Sequence, residues 1–503
     1  MILSDVVIAP EQANALNIQL MLGSVSQKIT IFGVTSALTT DTATVSQAIT
    51  SNLIQHMPSF DRNVFALAKL SLGVFGDASQ LAGSGSYTLP GNQGPGGPSS
   101  GAFGIFATEN GPQIQAAVSQ YETNGISVDG ISTSSAVWGG TSVITPSEDS
   151  VADMKVISND YNAASGRFGG GQIEITTLSG TNHLPGGFFF KASRPGLNAY
   201  HAWNGVAPPL PRTAPERGSN RDNRRFNNYG GSLGGPFWKK HIFAFFNWES
   251  SPLSAMNTGQ AWYETPQFDN SAAAAGSIAG RYLSYPGEAP VASTLIAQTC
   301  ANIDLQQGVN CQQESGGLDL GSPLKSNLGY QDLTYGGSTG APGIGGGLDG
   351  IPDIGYYTIA TPSNTSQNQY NGRLDANVTA KDHNNLSIYR VPVTSTSYNG
   401  LARAASLWHH AQIKDAFTLL WLHTFSSTLI NQARTNADGW RRNEMESSPQ
   451  EPFGLPQDNI DGIGTAVVGY FGAPGPSHYN QWTYTYSDTL TKTLGNQNLN
   501  IGG

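Results

Sequence analysis

The chain is short of charge. Asp, Glu, Lys and Arg make up only 12% of its 503 residues, hydrophobic types 38%, and the formal net charge is −10. An acidic balance of this kind excludes a basic nucleic-acid surface, so no nucleic-acid partner is expected. Also missing is any run of about 18 consecutive apolar residues, so no helix of this chain can span a bilayer. A membrane role would need a barrel, the other architecture that satisfies its backbone inside hydrocarbon. Cysteine is nearly absent, with Cys300 and Cys311 the two present. In an exported protein such a close pair reads as one loop-closing disulfide; in a reducing compartment it reads as two free thiols. No basic and apolar leader follows Met1. For an exported chain that makes the sequence read as a fragment whose start lies upstream.

Catalytic constellations are lacking too. Gly166 to Gly171 and Gly343 to Gly347 are glycine-dense, but a phosphate cradle needs such a loop between a strand and a helix N-terminus. An alternating strand follows Gly171, which favours a tight turn. His409 and His410 are adjacent and would diverge on regular structure, and His423 sits on a strand. A zinc site needs three convergent ligands, so no metal, cofactor or catalytic residue is assigned and an enzyme is the weakest reading.

What is abundant is glycine, with 61 residues, beside strand patterning. Leu16, Ile18, Leu20 and Leu22 alternate with polar neighbours over residues 1 to about 33, too short a piece to bury a core alone. Residues 34 to 184 read as mixed α and β. A helix is expected around Val64 to Leu70, with Ser59 or Asp61 as N-cap. A Gly, Pro and Ser-rich loop spans 76 to 104. A strand is expected around Ile126 to Ile131, and Thr145-Pro146-Ser147-Glu148 reads as a capping box for a short helix.

From about 185 onward the pattern changes. Tyr370, Gly372, Leu374, Ala376 and Val378 share one strand face, while Asn371, Arg373, Asp375, Asn377 and Thr379 share the other. One face is apolar or small and the other polar, as in a strand between lipid and a wet lumen, although a soluble sandwich would show the same alternation. Short turns are expected at Gly235-Pro236, at Lys381 to Asn384, at Ser426-Ser427 and at Leu494 to Asn496. Long connections are expected at about 195–225, 250–369, 392–412 and 443–480. Short turns on one side and long loops on the other suit an outer-membrane barrel. Trp238, Trp248, Trp421, Trp440, Trp482, Tyr484 and Tyr486 fall near strand ends, where they serve either an interfacial girdle or core packing. Arg373, Asp375 and Arg434 read either as charge pairs holding an inner domain or as solvated lumen polarity.

The segments SFDRNVFALAKLSLGV (59–74), GISVDGI (125–131), Val151 to Gly187, NNYGGSLGGPFWKKHIFAFFNWE (227–249), NQYNGRLDANVT (368–379) and WLHTFSSTLINQAR (421–434) together resemble the Oar-like group of TonB-dependent outer-membrane receptors. The resemblance implies a mainly β chain in three parts. Residues 1–33 would be the remnant of a carboxypeptidase-regulatory-like β-sandwich. Residues 34–184 would be an α+β plug, and 185–503 a partial antiparallel transmembrane β-barrel. About nine strands are countable, against 22 in the family's barrel, and the TonB-contacting segment is absent. The resemblance also implies uptake of an unknown ligand across the outer membrane, with a TonB-type energy-transducing protein and membrane lipid as partners. It brings the loop after Asp129-Gly130 toward the outer apex. Trp138 is therefore the expected ligand contact, with a packed plug aromatic as the alternative. The competing reading is a secreted or surface-attached adhesin or glycan-binding protein without transport.

Overall fold

The computed structural model describes residues 45–57, 62–75, 106, 115–116, 123–135, 139–159, 168–194, 225–284, 287–303, 305–321, 347–398, 402–403, 407–446, 458–459, 467–468, 477–495 and 497–503. Residues 1–33, the loop 76–104, Trp138, Ser59 and Asp61 lie outside this set.

The N-terminal strands are β1 (Val45–Thr50), β2 (Val74–Phe75), β3 (Gln115–Ala116), β4 (Gly125–Val128), β5 (Ile131–Ser132), β6 (Val151–Asn159) and β7 (Gln172–Thr177). Five of them form one sheet in the order β1-β6-β7-β4-β5. Helix α1 (Ser51–His56) follows β1 directly. Ile49, Ile54, Val64, Phe65, Ile126, Met154 and Ile173 are buried together. Each such side chain contributes about 1.5–3 kcal/mol of transfer free energy, which holds this sheet as a packed unit.

Two local expectations change here. The segment Val64–Leu70 is a 3₁₀ helix, and its cap is Asn63, whose Oδ1 accepts from Phe65 N at 3.1 Å. The sequence Thr145 to Glu148 does not cap an α-helix. Only a 3₁₀ turn, Glu148–Ser150, forms before β6, and Ser147 makes no capping bond. Its hydroxyl is used elsewhere, as described below.

The large sheet contains β8 (Gly186–Ser193), β9 (Arg225–Trp238), β10 (Ile242–Ser250), β11 (Leu253–Glu264), β12 (Ala292–Ile296), β13 (Cys311–Glu314), β14 (Gly317–Leu320), β15 (Ile354–Asn377), β16 (Asp382–Tyr398), β17 (Leu407–Ser426) and β18 (Leu429–Glu446). A separate small pair, β19 (Asp458–Asn459) and β20 (Val467–Val468), precedes β21 (Ser477–Leu494) and β22 (Gln497–Gly502), which complete the large sheet. Strands β10 and β11 continue one another along the two halves of β15, with Ser250 opposite Asn368 and Leu253 opposite Thr365. The antiparallel path is then β8, β9, β10 with β11, β15, β16, β17, β18, β21 and β22. Among the described residues β8 and β22 do not pair with each other, and the sheet is open along both edges.

The connections at 378–381 and 427–428 and between Leu494 and Gln497 are short, with Gly495 at φ +60; the first lies ahead of the expected Lys381 to Asn384, because Asp382 to Asn384 belong to β16. The first hairpin differs from expectation. Gly235 and Pro236 lie within β9, opposite Ala244 and Phe243, and the chain reverses at Lys239–Lys240, with Lys240 at φ +68. The strands also run further than their patterning suggested. Strand β15 has 24 residues, which at strand rise and a barrel tilt is about 60 Å tall, against an apolar band of about 25 Å.

Alternation assigns the faces. On β16, Asn385, Ser387, Tyr389, Val391 and Val393 are buried while Leu386, Ile388 and Arg390 are exposed. Tyr389 joins the core of the small sheet, and Val391 and Val393 pack on Phe106. The polar face therefore looks inward and the apolar face outward. Trp238, Trp421, Tyr484 and Tyr486 are exposed, as a girdle requires, but Trp440 is buried in the small-sheet core because it falls on the inward phase of β18.

The long connection 265–353 carries its own structure. Thr265 Oγ1 accepts from Phe268 N at 3.1 Å and Pro266 occupies the first turn, starting α2 (Pro266–Ala274) ahead of α3 (Ile278–Leu283). A disulfide joins Cys300 and Cys311, whose Cα atoms are 5.8 Å apart, inside a cluster with Ile303, Leu318, Leu320 and Ile354. Arg403, in the connection 399–406, is 1% exposed and donates at 2.7 Å to each carboxylate oxygen of Glu264. Ala402 N donates to Tyr263 Oη at 2.8 Å. Arg403 Nη1 also donates to Glu288 O, and Val291 N donates to Ala402 O at 2.6 Å, so residues 402–403 are latched both to the end of β11 and to the connection 265–353.

Candidate functional site

The small sheet meets the inward face of the wall through charged and hydroxyl side chains rather than through apolar packing alone. Two clusters carry this seam.

The first is built on Glu249 at the end of β10, which is 0% exposed. Its Oε1 accepts from Arg62 Nε at 3.1 Å and from Asn228 Nδ2 at 2.8 Å. Its Oε2 accepts from Ser147 Oγ at 2.5 Å. Arg62 also pairs with Glu148 at 3.1 Å and Asp149 at 2.6 Å, and its guanidinium carbon lies 3.8 Å over the Phe189 ring. One buried cation thus serves three carboxylates. Burial opposes the Arg62 charge, but Glu249, Asp149 and Glu148 outweigh it and hold the guanidinium pKa above its usual value. Ser147 and Glu148, which read as a capping pair in the sequence, bind the wall and Arg62 instead.

The second cluster surrounds the β4–β5 turn, where Asp129 (φ +52) and Gly130 (φ +76) reverse the chain. Asp129 Oδ1 accepts from Thr177 N at 2.9 Å and from Arg373 Nη1 at 3.1 Å; Oδ2 accepts from Ser387 Oγ at 3.1 Å. Arg373 donates further to Thr177 O at 2.9 Å and, from Nε and Nη2, to Asp375 at 3.0 Å. Asn385 Nδ2 donates to Asp375 Oδ1 at 2.9 Å. Arg434 Nη1 donates to Gly130 O. A Cβ on Gly130 would overlap the Arg434 guanidinium, so glycine supplies the positive φ and lets that arginine reach the turn. Arg373, Asp375 and Arg434 accordingly bind the inner sheet or support the group that does, rather than remaining solvated.

The glycine-dense stretch before β7 is a structural turn. Gly170 N donates to Thr123 O at 2.9 Å and Gly171 N to Asn124 Oδ1 at 3.0 Å. His423 Nδ1 pairs with Asp382 at 2.6 Å, and His409 and His410 alternate along β17. Among the described residues no three His, Cys, Asp or Glu side chains form a metal-holding group. The sequence reading missed Arg62, Glu249 and Asp129. Their signal was faint: Arg62 stands beside Asp61 in FDRNVF, and Glu249 and Asp129 are the single charges of FAFFNWE and GISVDGI.

Chemically, the seam is mixed: Tyr389, Ala416 and Trp440 of the wall share a buried apolar cluster with the small sheet, and the charged and hydroxyl groups lie beside it. Hydrogen bonds and ion pairs of this kind are replaceable by water at modest net cost, whereas a sealed apolar interface is not.

A sequence-family comparison matches residues 176–503 to the family described as outer membrane beta barrel domain. No curated protein sequence matches the chain. Among solved structures, the outer membrane transporter YddB from Escherichia coli superposes with a TM-score of 0.50 at 11% identity, covering 91% of this chain and 47% of that one. A mutant of the ferric enterobactin receptor PfeA from Pseudomonas aeruginosa gives 0.43 at 12% identity, covering 91% and 48%. The siderophore receptor PirA from Acinetobacter baumannii gives 0.36 at 11% identity, covering 91% and 56%. The chain spans about half the length of these structures.

Proposed function

The chain belongs to the outer membrane beta barrel domain family and resides in the outer membrane, and from that premise we propose that it is the plug and part of the barrel of a TonB-dependent receptor of the Oar-like group. In this reading residues 1–33 end a carboxypeptidase-regulatory-like domain, 34–184 are the plug, and 185–503 are the barrel wall. The protein is a transporter and not an enzyme. It captures an unidentified solute on its surface side, and a TonB-type partner supplies the work that shifts the plug. The observation that carries the proposal is the seam: Arg62 with Glu249 and Asp129 with Arg373 fasten the inner sheet to the wall by groups that can exchange their bonds for water.

The experiment uses cells carrying the full-length protein in a complex solute mixture, with and without an uncoupler of the inner membrane. Energy-dependent depletion of a solute is the expected result. Depletion unaffected by the uncoupler, or protein released from membranes by salt or urea, would refute it and favour an adhesin. Trp138 is proposed as a ligand contact. Trp138→Ala should weaken binding of the depleted solute at least tenfold with folding intact, and unchanged affinity would remove that assignment.

A further inference from the structure

The long insert between β11 and β15 is acidic where it rejoins the wall. Over residues 264–353 the described residues carry seven carboxylates and one base, the exposed Arg281. At one end Arg403 reaches in from another connection and answers Glu264. At the other end stand Asp319, Asp349 and Asp353. Among the described residues no lysine, arginine or histidine forms an ion pair with any of these three.

Asp319 on β14 and Asp353 just ahead of β15 are 0% and 3% exposed. Backbone groups hold both carboxylates in place. Gly350 N donates to Asp319 Oδ2 at 2.7 Å, and Leu320 N donates to Asp353 Oδ2 at 2.7 Å. Asp353 N donates to Leu318 O at 2.8 Å, and Thr265 N donates to Asp353 O at 2.9 Å. The two acids therefore sit on segments locked to each other and to the end of β11. Asp353 lies in the field of Asp319, and both lie in the field of Asp349. Asp349 is exposed on the intervening turn, where its Oδ1 accepts from Ile351 N at 2.9 Å and Gly350 takes φ +82. The remaining oxygen of the most deeply buried acid, Asp319 Oδ1, is covered and accepts no hydrogen bond. A buried ionised oxygen left in this way is costly unless a cation or a proton meets it.

We propose that Asp319 and Asp353 hold a calcium ion, with Asp319 Oδ1 as its innermost ligand and Asp349 closing the site from solvent. Two buried carboxylates fall short of the three convergent side chains of a zinc centre. They suit a hard cation, which fills its coordination shell of about 6–8 oxygens with backbone carbonyls and water. The site lies on the side of the long connections, the surface side, where calcium is available to modules that bind it at about 0.1–1 mM. Leu320, next to Asp319, is opposite Cys311 in register. The ion thus fastens β14 to the root of β15 beside the disulfide, and it does so whether or not the protein transports a solute. Without calcium, a proton satisfies the pair instead.

The test is hydrogen exchange in the full-length protein in detergent, first with a chelator and then with calcium as the only added metal. Exchange over 311–321 and 347–354 should slow roughly twentyfold at about 10 mM calcium, the factor for one site with a dissociation constant of about 0.5 mM. Exchange in β16 to β18 should stay constant. Replacing both acids, Asp319→Asn with Asp353→Asn, keeps an oxygen for each backbone donor and should reduce the calcium effect to less than about twofold. Exchange in the unmodified protein that ignores calcium would overturn the proposal whatever the variant does, and would leave a shared proton as the group that meets Asp319 Oδ1. An undiminished calcium effect in the double variant would place the ion elsewhere and overturn it as well. Equal slowing by magnesium at the same concentration would overturn a calcium site in favour of general charge screening.

Discussion

Glu249 and Arg62 allow a sharp test of what fastens the inner sheet. Replacing Arg62 with Met keeps much of the volume over Phe189 but strands Glu249 and Glu148, which are 0% and 4% exposed, without a cation. Removing one partner of a buried pair in this way costs about 3–5 kcal/mol. Glu249→Gln is milder. Arg62 keeps Glu148 and Asp149, and the amide oxygen still accepts from Ser147, so the loss is that of one charge-assisted bond, about 1–2 kcal/mol. In the double variant one of the stranded acids is gone, and the combined loss should fall short of the sum by about 1–2 kcal/mol. Pulse proteolysis of the full-length protein across a urea gradient, read at the small sheet, measures each release midpoint. With a urea slope of about 2 kcal/mol/M, Arg62→Met should lower it by about 1.5–2.5 M and Glu249→Gln by about 0.5–1 M. Equal shifts for the two single variants, or strict additivity in the double, would refute the ion-pair account and leave Arg62 as a packing residue over Phe189.

Three further outcomes follow from the geometry. Gly130→Ala forces φ +76 on a residue with a Cβ and displaces Arg434; it should loosen the small sheet by about 1–3 kcal/mol in the same proteolysis measurement. Cys300→Ser with Cys311→Ser opens a loop of sequence separation 11 and should destabilise the 300–320 region by about 3 kcal/mol. Hydrogen exchange there should accelerate while exchange in β16 to β18 stays constant. Burial, with Asp319 and Asp349 nearby, holds the Asp353 carboxyl up at about 8 against the N–H of Leu320, from an ordinary 3.8. The folded form then keeps a proton that the unfolded chain releases, so stability of this region should fall as pH rises from about 4 to about 8 and level off above. Asp353→Asn should flatten that profile in exchange-monitored titration.

The wall was legible where chemistry contrasts across a strand. Tyr370 to Val378 alternates cleanly because one face meets lipid and the other meets Asp129 and its neighbours. The turns at Ser426-Ser427 and Gly495 carried their own residues. The outer halves of β15 and β16 were illegible, since beyond the apolar band both faces are polar and Asn364, Ser366 and Thr394 look like loop. Gly235-Pro236 misled because that dipeptide usually reverses a chain. Here Pro236 stays inside β9, and the reversal falls to Lys240. Trp440 could not be assigned to girdle or core without the phase of β18. The seam was hidden for a different reason: Arg62 and Glu249 are 187 residues apart, and no local pattern links them.

The Arg403–Glu264 latch has a mechanical consequence. Through Glu288 O and the bond from Val291 N to Ala402 O, it also ties the insert carrying the disulfide to residues 402–403, so the two move together. Displacing either segment therefore means breaking a buried ion pair, so the two yield together or not at all.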